Sequence, residues 1–212
     1  MMPGLLAHFE ALTGPREVII VDGGSTDGTR EMARSAPGVR LLEADRGRGM
    51  QIAAGAEAAT GEVLLVLHAD TRLPADALAR VEEALAGGAR WGWFNVRYDA
   101  GGPWLRLVTR YVNAHACVLG EPTGENAIWA TRAAWEQAGG CPRIPILEDL
   151  ELARRLRRVG RGTRLAGPVI CSARRYRAWT PLGMNLRCSA LWLAFHLGVA
   201  PHRLAPLYPK VR

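Results

Sequence analysis

Apolar and polar positions follow two rhythms along the first two-thirds of the chain. Short unbroken apolar runs end abruptly at glycine or aspartate, and between them lie stretches with apolar residues three and four apart. EVIIVD (17–22) stops at GGSTDGT and reads as a buried strand followed by a turn, with Ser25 or Asp27 placed to cap the helix TREMARSA. VRLLEA (39–44) is a second strand. MQIAAGAEAAT (50–60) is small and helix-favouring, with Gly61 placed to stop it. EVLLVLHAD (62–70) has the strongest pattern of a buried strand, and PADALARVEEALAGG (74–88) that of an amphipathic helix. Strands alternating with helices at this rhythm predict an α/β, Rossmann-like fold, with a mostly parallel central sheet flanked by helices.

The second half is less regular. WGWFNVRYD (91–99) alternates like a half-exposed strand, antiparallel at a sheet edge. AIWAT (127–131) reads as a short strand before the helix RAAWEQAGG. In DLELARRLRRV (149–159), Leu152, Ala153, Leu156 and Val159 share one helical face, with acids opening the helix and arginines closing it. Residues 99–126 give few clues. No repeat or linker divides the chain, so a single domain is expected.

Composition agrees with one domain. The chain has 212 residues, 49% of them hydrophobic, enough to bury a substantial core. Its four cysteines (Cys117, Cys141, Cys171, Cys188) form neither CxxC pairs nor zinc spacings, which favours a reducing cytoplasm over a disulfide framework. The opening MMPGLLAHFEALTG lacks the basic start, apolar core and cleavage site of a secretory signal. Charge changes the picture more. Residues 1–151 carry 14 basic and 20 acidic side chains; beyond Glu151 there are 13 basic residues and no acid. That asymmetry suits phosphate groups, anionic lipid or nucleic acid, or simply an arginine-rich solvated surface. No nucleic-acid-binding motif accompanies it, so no nucleic-acid partner is expected.

Ligands of open α/β sheets bind beyond the carboxyl ends of strands, and two candidate strands end in aspartate, Asp22 and Asp70. Either alone also fits a cap or turn former. The turn Gly23-Gly24-Ser25-Thr26-Asp27-Gly28 admits a ligand close to the backbone, but it is neither a Walker loop nor a GxGxxG fingerprint. LEDLEL (147–152) sets Glu148 and Asp149 at a helix entrance, where compensation of the helix dipole is the simpler role. SARRY (172–176) offers Arg174 and Arg175, a surface pair or a phosphate fork.

VDGGSTDGT (21–29), LHADT (67–71), LEDLEL and SARRY, in that order, resemble the family 2 glycosyltransferases. The HAD and SARR forms are similar to the small bacterial branch associated with radical-SAM and selenium-related domains. The resemblance implies a GT-A sandwich with a nucleotide-binding half (1–98), an acceptor and catalytic half (99–176) and a C-terminal helical segment (177–212). It implies an inverting transferase that moves a sugar from a nucleotide donor, UDP first among them, to an acceptor hydroxyl, with Mg²⁺ or Mn²⁺. In that reading Asp22 contacts the base, Gly24, Ser25 and Asp27 line the donor turn, and Arg46, Arg48 and Gln51 flank it. His68, Ala69 and Asp70 approach the diphosphate, Asp70 holding the metal. Asp149, with Glu148 beside it, is the general base. Arg174 and Arg175 stabilise the leaving diphosphate, and Glu125 and Asn126 meet the acceptor.

The chain departs from the family pattern in places. His68 replaces the first acid of Asp-x-Asp, Gly124-Glu125-Asn126 stands for Gly-Asp-Gln, and Ala53 replaces a usual Asn. The family's opening strand, which would lie between the strands ending at Asp22 and Asp70, has no counterpart ahead of LLAHFEAL. The expectation is a shortened chain, weak in activity or stability: a nucleotide- or lipid-binding remnant is the alternative function. A nucleotidyltransferase is a third reading, without the glycine-rich Arg/Lys loop it would need. LGMNLRCSALWLAFHLGVA (182–200) is interrupted by Arg187 and His196 and is too short between them to span a bilayer. It suits a core or homodimer-interface helix, or one lying at the inner membrane surface with a lipid-linked acceptor.

Overall fold

The computed structural model describes residues 2–174, 176 and 181–208. Helix α1 (Met2–Ala11) leads into strand β1 (Val18–Asp22), helix α2 (Thr29–Ser35), strand β2 (Val39–Glu43) and helix α3 (Arg48–Ala58). β1 and β2 run parallel, from Val18 opposite Val39 to Asp22 opposite Glu43, and form a two-stranded sheet of their own. Val18 to Val21 are only partly buried, so β1 is not the fully enclosed strand its composition suggests. One of its edges pairs with β2, and among the described residues no strand hydrogen-bonds the other.

The main sheet has five strands in the order β3 (Val63–Leu65), β6 (Trp129–Thr131), β5 (Trp91–Tyr98), β7 (Thr163–Cys171) and β4 (Thr71–Arg72). β5 and β7 are parallel, while β3–β6, β5–β6 and β4–β7 are antiparallel. The α/β architecture is as expected, a central sheet flanked by helices, but this sheet is mixed: β3, β5 and β7 point one way, β6 and β4 the other.

Two strands differ from the sequence reading for identifiable reasons. β5 lies at the centre, not at an edge, and six of its eight residues are buried. Trp91 and Trp93 pack with Leu152 and Leu156 of α7 (Glu148–Val159), while Phe94, Val96 and Tyr98 pack with Val108 of α5 (Pro103–Leu119). At the irregularity between Phe94 and Asn95, the Asn113 amide accepts from Val96 N–H (2.8 Å) and donates to its carbonyl (3.0 Å). A helix side chain thus satisfies strand backbone at an edge where β6 pairs only Trp91 and Gly92. β3, in turn, stops at Leu65. Its ladder partner among the described residues, β6, has three residues, and the chain then turns at His68, whose carbonyl accepts from Thr71 N–H at 3.0 Å. Asp70 therefore belongs to the turn before β4.

Helix ends shift as well. Gly28, at φ +77°, is the N-cap of α2; Asp27 accepts from Thr29 N–H at 3.3 Å, and Ser25 does not cap the helix. α3 begins at Arg48 and is closed by Ala59, ahead of Gly61. After α4 (Ala77–Ala86) and α6 (Arg132–Gln137), the C-terminal segment is helical as expected: α8 (Pro181–His196) and α9 (Pro201–Leu204). Leu191 of α8 and Leu204 of α9 pack with Ile146, Leu147 and Leu150 at the start of α7. No helix among the described residues is long and apolar enough to cross a membrane.

Candidate active site

The turn after β1 is organised by its own aspartate. Asp22, 5% exposed, accepts N–H bonds from Gly24 (2.9 Å) and Ser25 (3.0 Å), and Arg30 Nε lies 3.0 Å from Oδ2. Burial works against the charge, yet the Ser25 and Gly24 donors and Arg30 hold this carboxyl below its ordinary range. Gly24, at φ +96°, permits the bend. Gln51 reaches under the turn and donates to Val21 carbonyl oxygen at 2.8 Å, its amide against Gly23. Gln51 thereby supports the turn from below. Asp27, Arg46 and Ala69 are exposed.

The LHADT and SARRY segments meet through backbone. Thr71 pairs with Cys171 across β4 and β7, and Ser172 N–H donates to Asp70 carbonyl oxygen at 3.0 Å. The side chains follow: Arg174 Nη2 lies 3.2 Å from Asp70 Oδ2, with the carboxylate side chain 25% exposed. Arg175 lies outside the described residues.

The third cluster forms over Gly124. Its N–H donates to Asp149 Oδ2 at 2.7 Å, while Leu150 N–H donates to Oδ1 at 2.8 Å. A Cβ on Gly124 would run into the His68 imidazole and come within 3.4 Å of Asp149 Oδ2. Glycine at this position is what lets His68 and Asp149 approach each other. His68, Glu125 and Asp149 line one cavity, together with Arg48, Thr123 and Tyr176.

Three assigned residues are placed differently. Glu148 is fully buried, and Arg48 Nε sits 2.8 Å from its Oε1. It has no open path to a substrate and acts beneath Asp149 by anchoring Arg48. Arg48 consequently points toward α7, not the donor turn, with its guanidinium over the Tyr208 ring at 5.6 Å. Gly49 allows this approach, since a Cβ there would meet Pro142 carbonyl oxygen at 2.5 Å. Asn126 is also fully buried. Its amide donates to Phe94 carbonyl oxygen (2.9 Å) and accepts from Thr123 N–H (3.0 Å), so it holds the Gly124 turn and does not meet an acceptor.

Tyr98 and Tyr176 were missed by sequence reasoning. The Tyr98 hydroxyl donates to Glu125 Oε2 at 2.6 Å and lies 3.3 Å from the Tyr176 hydroxyl. Burial, with Glu125 beside it, pushes the Tyr98 phenol far above its usual range, so it remains a donor that orients Glu125. A polar tip closing an aromatic strand was the available signal.

Burial raises the Glu148 carboxyl from 4.5 to about 7, with Asp149 adding to the shift and Arg48 opposing it. The folded chain therefore holds this proton more tightly than the unfolded chain. Glu148's stabilising contribution is complete below pH 4.5 and is lost as pH rises through about 7. Urea midpoints at pH 5 and pH 8 should fall more in the wild type than in Glu148→Gln, which does not titrate. Equal falls would remove Glu148 from the pH dependence.

A divalent cation fits here as a shared ion. Among the described residues no three His, Cys, Asp or Glu side chains gather to hold a metal by themselves. Asp70 offers a hard, partly exposed carboxylate in a turn, which suits an ion whose remaining ligands are phosphate oxygens and water.

The central sheet flanked by helices is the fold of solved GT-A glycosyltransferases. Glycosyl transferase family 2 matches residues 6–128, and the chain belongs to this family. Among curated relatives, it is 35% identical over 98 residues to an undecaprenyl-phosphate 4-deoxy-4-formamido-L-arabinose transferase of Aeromonas hydrophila subsp. hydrophila. That match covers 41% of this chain and 30% of the relative. The fold resembles a mannosyltransferase from Pyrobaculum calidifontis in complex with GDP-Man and Mn²⁺ (TM-score 0.63, 24% identity, 97% of this chain and 63% of that one). It also resembles glucosyl-3-phosphoglycerate synthase from Mycobacterium tuberculosis in complex with Mn²⁺, UDP and phosphoglyceric acid (TM-score 0.54, 18% identity, 77% and 63%). The chain thus spans less than two-thirds of the length of each.

Proposed function

We propose that the chain transfers a sugar from a nucleoside-diphosphate sugar to an acceptor hydroxyl, with inversion and with help from a divalent cation. The observation that carries this reading is the joining of three separated motifs around one turn: Asp70 to Arg174, and His68, two residues earlier, to Gly124 and Asp149. Solved relatives of the same fold hold GDP-Man or UDP together with Mn²⁺, which supports a nucleotide donor and this class of ion.

Each residue has a task in this reading. The Asp22 turn seats the nucleoside. Asp70 supplies the protein oxygen to a cation that neutralises the donor's diphosphate. Arg174 exchanges its ion pair with Asp70 for the departing diphosphate, where negative charge grows. Asp149, oriented by two N–H donors, takes the proton of the acceptor hydroxyl as that oxygen attacks the anomeric carbon. Glu148 and Arg48 position Asp149 from beneath. The cavity beyond Asp149 has an apolar wall of Val112, Met184, Leu191 and Trp192, which suits an acceptor with an apolar body. The relative named for undecaprenyl-phosphate agrees with a lipid-linked acceptor, reached from the cytoplasmic side of a membrane.

Calorimetric titration with UDP and with GDP, each with Mn²⁺ and with a chelator, tests the donor half. One nucleotide is expected to bind saturably with Mn²⁺ and at least about tenfold more weakly without it. Absence of binding by either nucleotide would reject the reading.

A further inference from the structure

Helix α5 carries four large apolar side chains outward: Trp104, Leu107, Tyr111 and Val118, between 47% and 79% exposed. Their spacing of three, four and seven residues sets them along one stripe of the helix. Arg106 and Arg110, also exposed, follow one border of this stripe. No acidic residue occurs between Ala100 and Gly120, nor anywhere after Glu151.

Helix α8 lies alongside. The Tyr111 and Ser189 hydroxyls are 3.0 Å apart, and His115 meets Trp192 edge-on with ring centroids at 5.3 Å. α8 exposes Leu186 and Leu193, seven residues apart on one face, and Leu197 follows just past its end, also exposed. Residues of both helices wall the cavity that reaches Asp149: Tyr111 and Val112 from α5, Met184 and Trp192 from α8.

We propose that the outer face of α5, with α8 beside it, docks on an anionic bilayer surface and presents the cavity to molecules held in that bilayer. Charge selects this occupant. An apolar stripe bordered by arginines and free of carboxylates matches the interface of an acidic membrane, where tryptophan and tyrosine also settle. A second copy packed on the same face would bring Arg106 and Arg110 against their own equivalents with no acid between them. The helices lie in the membrane interface and do not cross it, since neither is long and apolar enough to span a bilayer. The proposal rests on the transferase reading only for what enters the cavity.

Flotation of the full chain with vesicles tests it without catalysis. The wild type is expected to rise with mixed phosphatidylglycerol and phosphatidylcholine vesicles, to remain below with phosphatidylcholine alone, and to be released by high salt. Two double variants, Leu107→Glu with Val118→Glu and Arg106→Glu with Arg110→Glu, are each expected to lower partitioning roughly tenfold or more. Both alter outward side chains, and wild-type melting temperatures establish that the variants are folded. A wild type that stays below with anionic vesicles, or folded variants that float like it, would overturn the proposal. So would a dimer in sedimentation that Leu107→Glu with Val118→Glu dissociates. Loss of flotation with nucleotide binding intact removes the docking alone; flotation without nucleotide binding removes the transferase reading alone.

Discussion

Asp149→Asn is expected to lower sugar transfer by roughly 10²–10⁴-fold, the range general-base catalysis contributes, with nucleotide affinity within about twofold of wild type. The substitution keeps the shape of the side chain and one of its two acceptor oxygens, while removing the group that takes a proton. The two N–H bonds from Gly124 and Leu150 explain why the geometry is sensitive. An amide must turn its NH₂ toward one of these donors, so a modest loss of stability, about 1–3 kcal/mol, accompanies the loss of rate. Initial rates of transfer, with calorimetric nucleotide affinity as the control, separate the two effects. A rate within tenfold of wild type would take Asp149 out of the proton transfer.

Asp70→Ala has the second large effect, and it falls on binding. In the proposed reading this carboxylate is the protein's hold on the cation. Its loss should exceed the roughly 10–100-fold typical of outer-shell partners and abolish the advantage Mn²⁺ gives to nucleotide binding. Metal-free affinity should persist, since the Asp22 turn that seats the nucleoside in this reading is left intact. Titrations of wild type and variant, each with Mn²⁺ and with chelator, read this pattern. An undiminished Mn²⁺ effect in Asp70→Ala would remove Asp70 from the metal site.

The parts of the fold written in local periodicity were legible beforehand. β1 announces itself as a β-branched run and β2 as a short apolar one, α4 and α7 as amphipathic periods, and four motifs in order identify the family. What was not legible depends on partners distant in the chain. β5 reads as an edge strand because Asn95 and Arg97 interrupt its apolar run, yet helices cover both of its faces and Asn113 satisfies its irregular backbone. The apolar run after Glu62 continues to Leu67, but regular pairing with β6 ends at Leu65, followed by one bond from Val66 N–H to Ile128 carbonyl oxygen.

At the site, the charged residues were found but not all their directions. Glu148 and Asp149 are neighbours on one helix turn; only packing shows that one is sealed beneath with Arg48 while the other meets Gly124. Asn126 reads as an acceptor contact because Gly124-Glu125-Asn126 stands for the family's Gly-Asp-Gln, whereas its amide is consumed by Phe94 and Thr123. Tyr98 and the outward stripe of α5 carried no motif, and their meaning appears once their neighbours are known.

The most direct test of the account is turnover of the donor by the purified chain. With Mn²⁺, the cognate nucleoside-diphosphate sugar and an acceptor bearing an apolar group, release of nucleoside diphosphate should match glycoside formed. Nuclear magnetic resonance of the product should show the anomeric configuration opposite to the donor's. Retained configuration would contradict the single in-line displacement assigned to Asp149. No release of nucleoside diphosphate from any donor, by a folded chain that binds nucleotide, would contradict catalysis itself.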